Sequence, residues 1–185
     1  MNATQKKSLA LGALLMLLMA ATRMHHFGTS LHLPDASLAI FIIAGFLIAS
    51  PAFFAVLFLE AVAIDYLAIT QFGVSDFCVT PAYWGLIPTY LVLWAAGRFY
   101  ARIQQNNLRS LSVFAAISFA ALSIAFFISN GSFYVFSGRF PDMNLADYAA
   151  RVAQYYAPYL TSGVTYLVPA ALIYAIVQQR LKAHA

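Results

Sequence analysis

Charge is what this sequence has least of. Only 9% of its 185 residues are Asp, Glu, Lys or Arg, whereas a soluble globular domain has about 25%. So few charges cannot cover a folded surface that faces water, and the mean hydropathy of +0.79 agrees. We therefore interpret residues 1–185 as a single transmembrane domain.

Cysteine is almost absent as well, and common catalytic motifs are missing. The one cysteine, Cys78, excludes an intramolecular disulfide and any metal site built from several cysteines. The sequence has no GxSxG, no P-loop and no HExxH motif. The net charge of +4 does not predict nucleic-acid binding, because the basic residues stand at the ends of apolar segments and form no continuous patch.

Long apolar runs are what the sequence has in abundance. A bilayer core of about 30 Å requires about 20 helical residues, and backbone groups in lipid must be hydrogen-bonded within the helix. Six stretches meet or approach this length, so we predict an all-α bundle of six transmembrane helices. The predicted spans are Ser8–Met24, Leu33–Ser50, Pro51–Thr70, Pro81–Arg98, Leu111–Ser129 and Pro158–Val177.

The first apolar run has a second interpretation. Lys6 and Lys7 precede it and Ala20 and Ala21 end it, which also fits a secretory signal peptide. No A-x-A cleavage site follows the run. We therefore interpret it as the first span of the bundle.

The basic residues predict how the bundle is oriented. Lysine and arginine are enriched on the cytoplasmic side of membrane proteins. With six spans, most basic residues share the side that holds both termini, which is therefore predicted to be cytoplasmic. That side has Lys6, Lys7, Arg98, Arg102, Arg109, Arg180 and Lys182, and the outer side has Arg23, Arg139 and Arg151.

The most distinctive stretch is the loop Gln71–Trp84, QFGVSDFCVTPAYW, on the predicted outer side. Its cysteine, Cys78, offers a soft ligand for a transition metal. One thiolate alone binds a free ion weakly, but a metal already held by an organic macrocycle requires only one axial ligand from the protein. The alternative is an inert cysteine that packs as a small apolar side chain.

The outer side also holds three of the four histidines. His25 and His26 are adjacent, so on a helix their side chains would point about 100° apart. Together with His32 and the cysteine they have no recognised zinc-ligand spacing. A zinc site therefore stays a minor alternative, and His26 is the best placed of the three to contact a ligand.

Two carboxyl groups lie inside the third predicted span. Asp65 is in its outer half, and Glu60 precedes it by five residues. An ionisable group at such a depth usually faces the bundle interior and is functional or paired. These residues support a second class of function, a small membrane enzyme or accessory subunit in which Glu60 and Asp65 handle protons.

The segment Asn144–Ala157, NLADYAARVAQYYA, is predicted to form an amphipathic helix that leads into the last span. Asp147 and Arg151 are four residues apart, so they would share one face of that helix and can pair.

Several stretches together resemble a known family. Six short helices with cytoplasmic termini are similar to the substrate-binding S-components of energy-coupling-factor vitamin transporters. The stretches HHFGTSLHLPDASLAIFIIAGF, EAVAIDYLAI and DFCVTPAYW resemble the BtuM family, the solitary cobalamin-specific relatives of Gram-negative bacteria. The resemblance covers essentially the whole chain. Its first helix lacks a clear AxxxA pattern, so at most a transient energy-coupling module is expected as a partner.

The resemblance implies binding of cobalamin and its uptake across the bacterial inner membrane. It implies that Cys78 is the axial ligand of the cobalt, and such a thiolate could also promote removal of an upper ligand such as cyanide. An S-component for another vitamin is the alternative within this fold. The resemblance places His26, Asp65, Tyr83 and Arg151 in the pocket, and the residues around the cysteine add Thr80 and Trp84. The expected aromatic walls are Tyr83, Trp84, Phe133, Tyr134, Phe136 and Tyr156.

Overall fold

A computed structural model describes residues 3–23, 33–105 and 107–183. Over these residues the chain is entirely helical, without β-strands, which confirms the all-α prediction. Six α-helices and one short 3₁₀ helix follow one another within these ranges. They are α1 (Ala3–Arg23), α2 (Ser37–Leu47), α3 (Pro51–Phe72), the 3₁₀ helix (Pro81–Gly85), α4 (Leu86–Ile103), α5 (Leu108–Phe136) and α6 (Leu145–Ala183).

Three of the helices are long and apolar enough to cross a membrane. Within the described ranges these stretches are Pro51–Phe72, Arg109–Phe136 and Leu145–Arg180. Most residues in these stretches are not buried inside the bundle, although they are strongly apolar. Apolar side chains on the outside of a bundle are expected where the surrounding solvent is lipid, so the structure supports a membrane protein.

The second predicted span is shorter than expected. Helix α2 has only 11 residues, which rise about 16 Å and cannot cross a 30 Å core. Nine consecutive residues, from Ser37 to Gly45, are buried. A helix that is apolar on every side is one that other helices surround. The apolar sequence of α2 therefore reflects a central position in the bundle, and the predicted range Leu33–Ser50 is too long.

Helices α2 and α4 approach each other closely because two glycines face the partner backbone. A Cβ atom at Gly45 would overlap the carbonyl of Trp94, and one at Gly97 would overlap the carbonyl of Ile42. Small residues at such contacts allow helix axes to come close in membrane proteins. This pair of helices forms the centre of the bundle, with Phe41 stacked on Tyr90 at a ring distance of 4.2 Å.

The ends of the helices are set by short polar residues. Ser50 caps α3, where its hydroxyl accepts a hydrogen bond from the amide of Phe53 at 3.3 Å, and Gly73 ends it with a φ of 67°. Asp35 lies two residues before the start of α2 at Ser37. Its carboxylate accepts a hydrogen bond from the amide of Ser37 at 2.9 Å, whereas Ala36 occupies the cap position without a side-chain bond.

Helix α6 includes the predicted amphipathic segment. It has 39 residues with Pro158 and Pro169 inside it, and it spans about 58 Å, longer than a bilayer core. Asp147 and Arg151, which could pair on one face of this helix, form no ion pair in the part of the chain that the structure describes. Asp147 accepts a hydrogen bond from the Asn144 side chain at 2.6 Å, because Asn144 also binds the Asp147 amide at the start of the helix.

Candidate functional site

A cavity of about 700 Å³ opens at one end of the bundle. Its volume is in the range of about 300–1,000 Å³ that is typical of ligand pockets. Side chains from every α-helix and from the loop before the 3₁₀ helix line it. The residues that matter for the chemistry are Arg23, Asp35, Asp65, Cys78, Tyr83 and Tyr90.

The floor of the cavity is built around Arg23, the last residue of α1. This residue is only 7% exposed. Its Nε donates to Asp65 Oδ1 at 2.7 Å and its Nη2 donates to Asp65 Oδ2 at 2.6 Å. Such a bidentate pair is strong and fixes the orientation of both groups.

The third nitrogen of the same guanidinium reaches two further helices. Arg23 Nη1 donates to Asp35 Oδ2 at 3.2 Å and to Ser37 Oγ at 3.0 Å, at the start of α2. It also donates to the hydroxyl of Tyr90 in α4 at 2.8 Å. One side chain therefore connects α1, α2, α3 and α4 beneath the cavity. We name Arg23, Asp35 and Asp65 the floor cluster.

The buried position of Arg23 was not predicted from the sequence. The six-span topology places Arg23 on the outer side, but the structure buries it there. A buried guanidinium is tolerated only when it is paired. The presence of Asp35 and Asp65 on the same predicted side was the available signal, but the sequence could not tell which residue they pair with.

Tyr83 connects the 3₁₀ helix to the floor cluster. Its hydroxyl donates to Asp65 Oδ2 at 2.7 Å. The 3₁₀ helix is itself held against α5, since a Cβ atom at Gly85 would lie 2.5 Å from the side chain of Ser132. The predicted site residues Asp65 and Tyr83 are thus brought into direct contact, although 18 residues separate them.

Cys78 lies in the loop between α3 and the 3₁₀ helix. The residue is exposed and it lines the cavity, so its thiol is accessible to a ligand that enters from this end. Partial enclosure raises the pKa of the thiol, the charge of Asp65 raises it further, and Arg139 opposes this shift. A proton must therefore leave when the sulfur binds a metal near neutral pH.

The loop that carries Cys78 is held by the connection between α5 and α6. The guanidinium of Arg139 lies over the ring of Phe77, 4.7 Å from its centroid. Phe77 also packs against Phe133 of α5, with ring centroids 5.7 Å apart. These contacts keep the residue before Cys78 in place at the edge of the cavity.

The remaining predicted site residues lie elsewhere. Thr80 caps the 3₁₀ helix, where its hydroxyl accepts a hydrogen bond from the Ala82 amide at 3.2 Å. Trp84 is 71% exposed, and Arg151 lies over the ring of Phe140 at 5.8 Å. None of these three side chains lines the cavity as the structure describes it. His26, with His25 and His32, lies outside the described residues.

The aromatic walls differ in part from the expected set. Tyr83 and Phe133 do line the cavity. Tyr134 instead donates to the carbonyl of Met143 at 2.8 Å, Tyr156 bonds Ser123 at 2.7 Å, and Phe136 is exposed. Their places in the wall are taken by Tyr90, Tyr155 and Tyr159.

Glu60 does not belong to this site. It lies one and a half turns before Asp65 in α3 and does not line the cavity. One of its carboxyl oxygens is buried, and no hydrogen-bond partner for it is found in the described ranges. The two carboxyl groups that were expected to handle protons together are therefore in separate environments.

The site thus combines a soft sulfur at the mouth, aromatic and apolar walls, and a charged floor. Over the described ranges no group of three or more His, Cys, Asp or Glu side chains could hold a metal ion. The volume and lining fit a large ligand that has apolar faces and a few polar groups. Comparison of the sequence with protein-family models and with curated proteins finds no match.

Proposed function

We propose that this protein binds cobalamin and carries it across the bacterial inner membrane, with the Cys78 sulfur as an axial ligand of the cobalt. The observation that supports this most is the position of the only cysteine on the wall of a cavity of about 700 Å³. Cobalamin can offer one axial position when its own benzimidazole is detached. A single thiolate is then sufficient, because the macrocycle supplies the other ligands.

The lining of the cavity is chemically suited to a corrin. The ring has apolar faces and a fringe of amide side chains, so it requires apolar walls with a few polar groups. Phe133 and Tyr159 provide such walls, and Asp65 and Tyr83 provide polar groups at the floor. Cobalamin is larger than a drug-sized molecule, so its nucleotide tail would extend through the mouth.

The proposal includes six helices in the membrane, both termini in the cytoplasm and a cavity that opens to the periplasm. Arg98 and Arg102 lie near the end of α4, whereas the cavity is at its start. The basic residues between α4 and α5 thus mark the opposite end of the bundle from the cavity, as the positive-inside rule requires. The sequence has no nucleotide-binding motif, so any use of ATP would depend on a transient energy-coupling partner.

The direct test is the absorption spectrum of bound cobalamin. Purified protein is mixed with cyanocobalamin, and the spectrum is compared for the native chain, Cys78→Ser and Val79→Ala. Val79 lines the same wall but offers no metal ligand. We expect a thiolate-type spectrum with the native protein and Val79→Ala, and its loss with Cys78→Ser. An unchanged spectrum in Cys78→Ser would show that the sulfur does not bind cobalt.

The same ligation would assist loss of an upper ligand. A strong thiolate donor weakens the bond on the opposite face of the cobalt, so we propose slow release of cyanide from cyanocobalamin. Cyanide leaves with its bonding electron pair, water takes its place, and the oxidation state of cobalt does not change. Free cyanide is measured over time with the native protein, Cys78→Ser and buffer. Equal rates in all three would exclude this activity.

The competing interpretation as a proton-handling subunit is less well supported. Asp65 is engaged by Arg23 and Tyr83, and Glu60 is remote from the cavity lining. The colour of the purified protein distinguishes the two interpretations, because a cobalamin carrier purified from cells supplied with cobalamin should be pink or red. Competition by a panel of vitamins separates cobalamin from other ligands of an S-component.

A further inference from the structure

The floor cluster carries a surplus of negative charge. Among the described residues that line the cavity, the side chains that carry a formal charge are Arg23, Asp35 and Asp65. One guanidinium and two carboxylates leave a net formal charge of −1. Their side chains are 8%, 22% and 17% exposed, respectively, so this charge is only weakly screened by solvent.

The guanidinium of Arg23 is paired with the two carboxylates of the floor cluster. Its three nitrogens donate to Asp65, Asp35, Ser37 and Tyr90. These bonds hold the guanidinium against its partners, so it is poorly placed to receive an acidic group of the ligand as well. What the floor offers to a ligand is therefore the acceptor capacity of its carboxylates.

The two carboxylates of the floor cluster can accept few further hydrogen bonds. Asp65 accepts three hydrogen bonds, two from Arg23 and one from Tyr83. Asp35 also accepts three, two from Ser37 and one from Arg23. A carboxylate has about four lone-pair sites, so each can take about one more donor. This number suits one N–H of a carboxamide better than an ammonium group with three donors.

We infer that the floor cluster recognises a peripheral carboxamide of the corrin and discriminates against corrinoids in which that carboxamide is replaced by a carboxylate. The inference rests on the proposed function and specifies which corrinoids the site accepts. The physical reason is that a second negative charge beside a half-buried floor of net charge −1 is strongly repelled, whereas a neutral amide donates to it.

The test compares cyanocobalamin with its monocarboxylic acids, each made by hydrolysis of one peripheral propionamide. Dissociation constants are measured by absorbance at neutral pH for the native protein, Asp35→Asn and Asp142→Asn. Cobalt, ring and nucleotide tail are the same in all these compounds, so the ratio of constants reports the amide position alone. Asp142→Asn is the matched control, because this residue is exposed and does not line the cavity.

We expect the native protein and Asp142→Asn to bind at least one of the acids about tenfold or more weakly than the amide, because like charges at a binding surface repel each other. In Asp35→Asn the floor cluster has no net formal charge, so the ratio of the dissociation constants of acid and amide should move toward one. Asp35→Ala serves the same purpose if the asparagine variant does not fold.

The outcomes separate the inference from the function. Equal binding of cyanocobalamin and every acid by the native protein would overturn the charge selection and leave cobalamin binding intact. A ratio that stays unchanged in both Asp35 variants would overturn the assignment to the floor cluster. Binding of none of the compounds would overturn the proposed function together with this inference.

Discussion

The two ends of the bundle each contain an arginine that ties helices together, but they use it differently. At the cavity end, Arg23 pairs with Asp35 and Asp65. At the other end, Arg98 donates to the carbonyl of Ala49 at 2.6 Å and lies over the ring of Trp94 at 5.2 Å. Both ion pairs found in the described residues belong to Arg23.

The space around the two arginines differs as much as their partners do. The cavity above Arg23 has a volume of about 700 Å³, whereas an apolar pocket toward the other end has only about 50 Å³. Close packing of α2 on α4 at Gly45 and Gly97 leaves little room there. Among the described residues, a charged floor and room for a ligand thus occur together at the cavity end.

Loss of the two arginines should have unequal effects, and this is the largest difference we expect. Arg23→Gln leaves two half-buried carboxylates without their cation, which should destabilise the fold by about 3–5 kcal/mol. Arg98→Gln removes one hydrogen bond to a carbonyl and should cost about 1–2 kcal/mol. The free energy of unfolding in detergent, measured by denaturant titration, checks both. Equal losses would contradict the distinction between the two ends.

Packing at the opposite end should be less tolerant of added volume than the cavity end. Gly97→Ala places a methyl group against the backbone of α2, and such overpacking typically costs about 1–3 kcal/mol. Gly131→Ala is the matched control, because a Cβ atom there meets nothing within 4 Å. The control should gain up to about 1 kcal/mol from helix propensity. Thermal unfolding of both variants in the same detergent measures the difference, and a stable Gly97→Ala would refute the close contact.

Ligand binding at the cavity end should depend on pH through Cys78. Because the pKa of this thiol is raised, the thiol is protonated at neutral pH and releases a proton when it binds cobalt. The affinity for cobalamin should therefore increase about tenfold per pH unit as pH rises toward the thiol pKa. Titrations at several pH values give the slope. A slope that persists in Cys78→Ser would assign the proton to another group.

The smallest effect concerns the residue that holds the cysteine loop. Arg139 is the positive charge that lowers the pKa of Cys78, so Arg139→Gln should raise it and reduce the thiolate fraction. We expect alkylation of Cys78 by iodoacetamide at fixed pH to slow by less than about tenfold. Arg151→Gln is the control, because Arg151 stacks on Phe140 instead. Measuring the alkylation rate over a range of pH separates a shifted thiol pKa from a change in the access of iodoacetamide to Cys78.

Several features could be predicted because they depend on local sequence. Low charge and long apolar runs predict helices in lipid, and α3 begins at the predicted Pro51, although it ends at Phe72 and not at the predicted Thr70. The position of Cys78 after this helix, and of Asp65 within it, follows directly. The length of α2 and the residues that form the aromatic walls could not be predicted in this way. Apolar composition is the same for a helix that faces lipid and for one that other helices surround.

Composition and chain order are local properties, so they predict a helical, apolar chain with one soft ligand in a loop between apolar segments. The pairing of Arg23 with Asp35 and Asp65 depends instead on tertiary packing, because the way separate helices pack and rotate selects the partners of a buried charge. The hydrogen bonds of Arg23 reach as far as Tyr90, 67 positions away, and no local pattern specifies them.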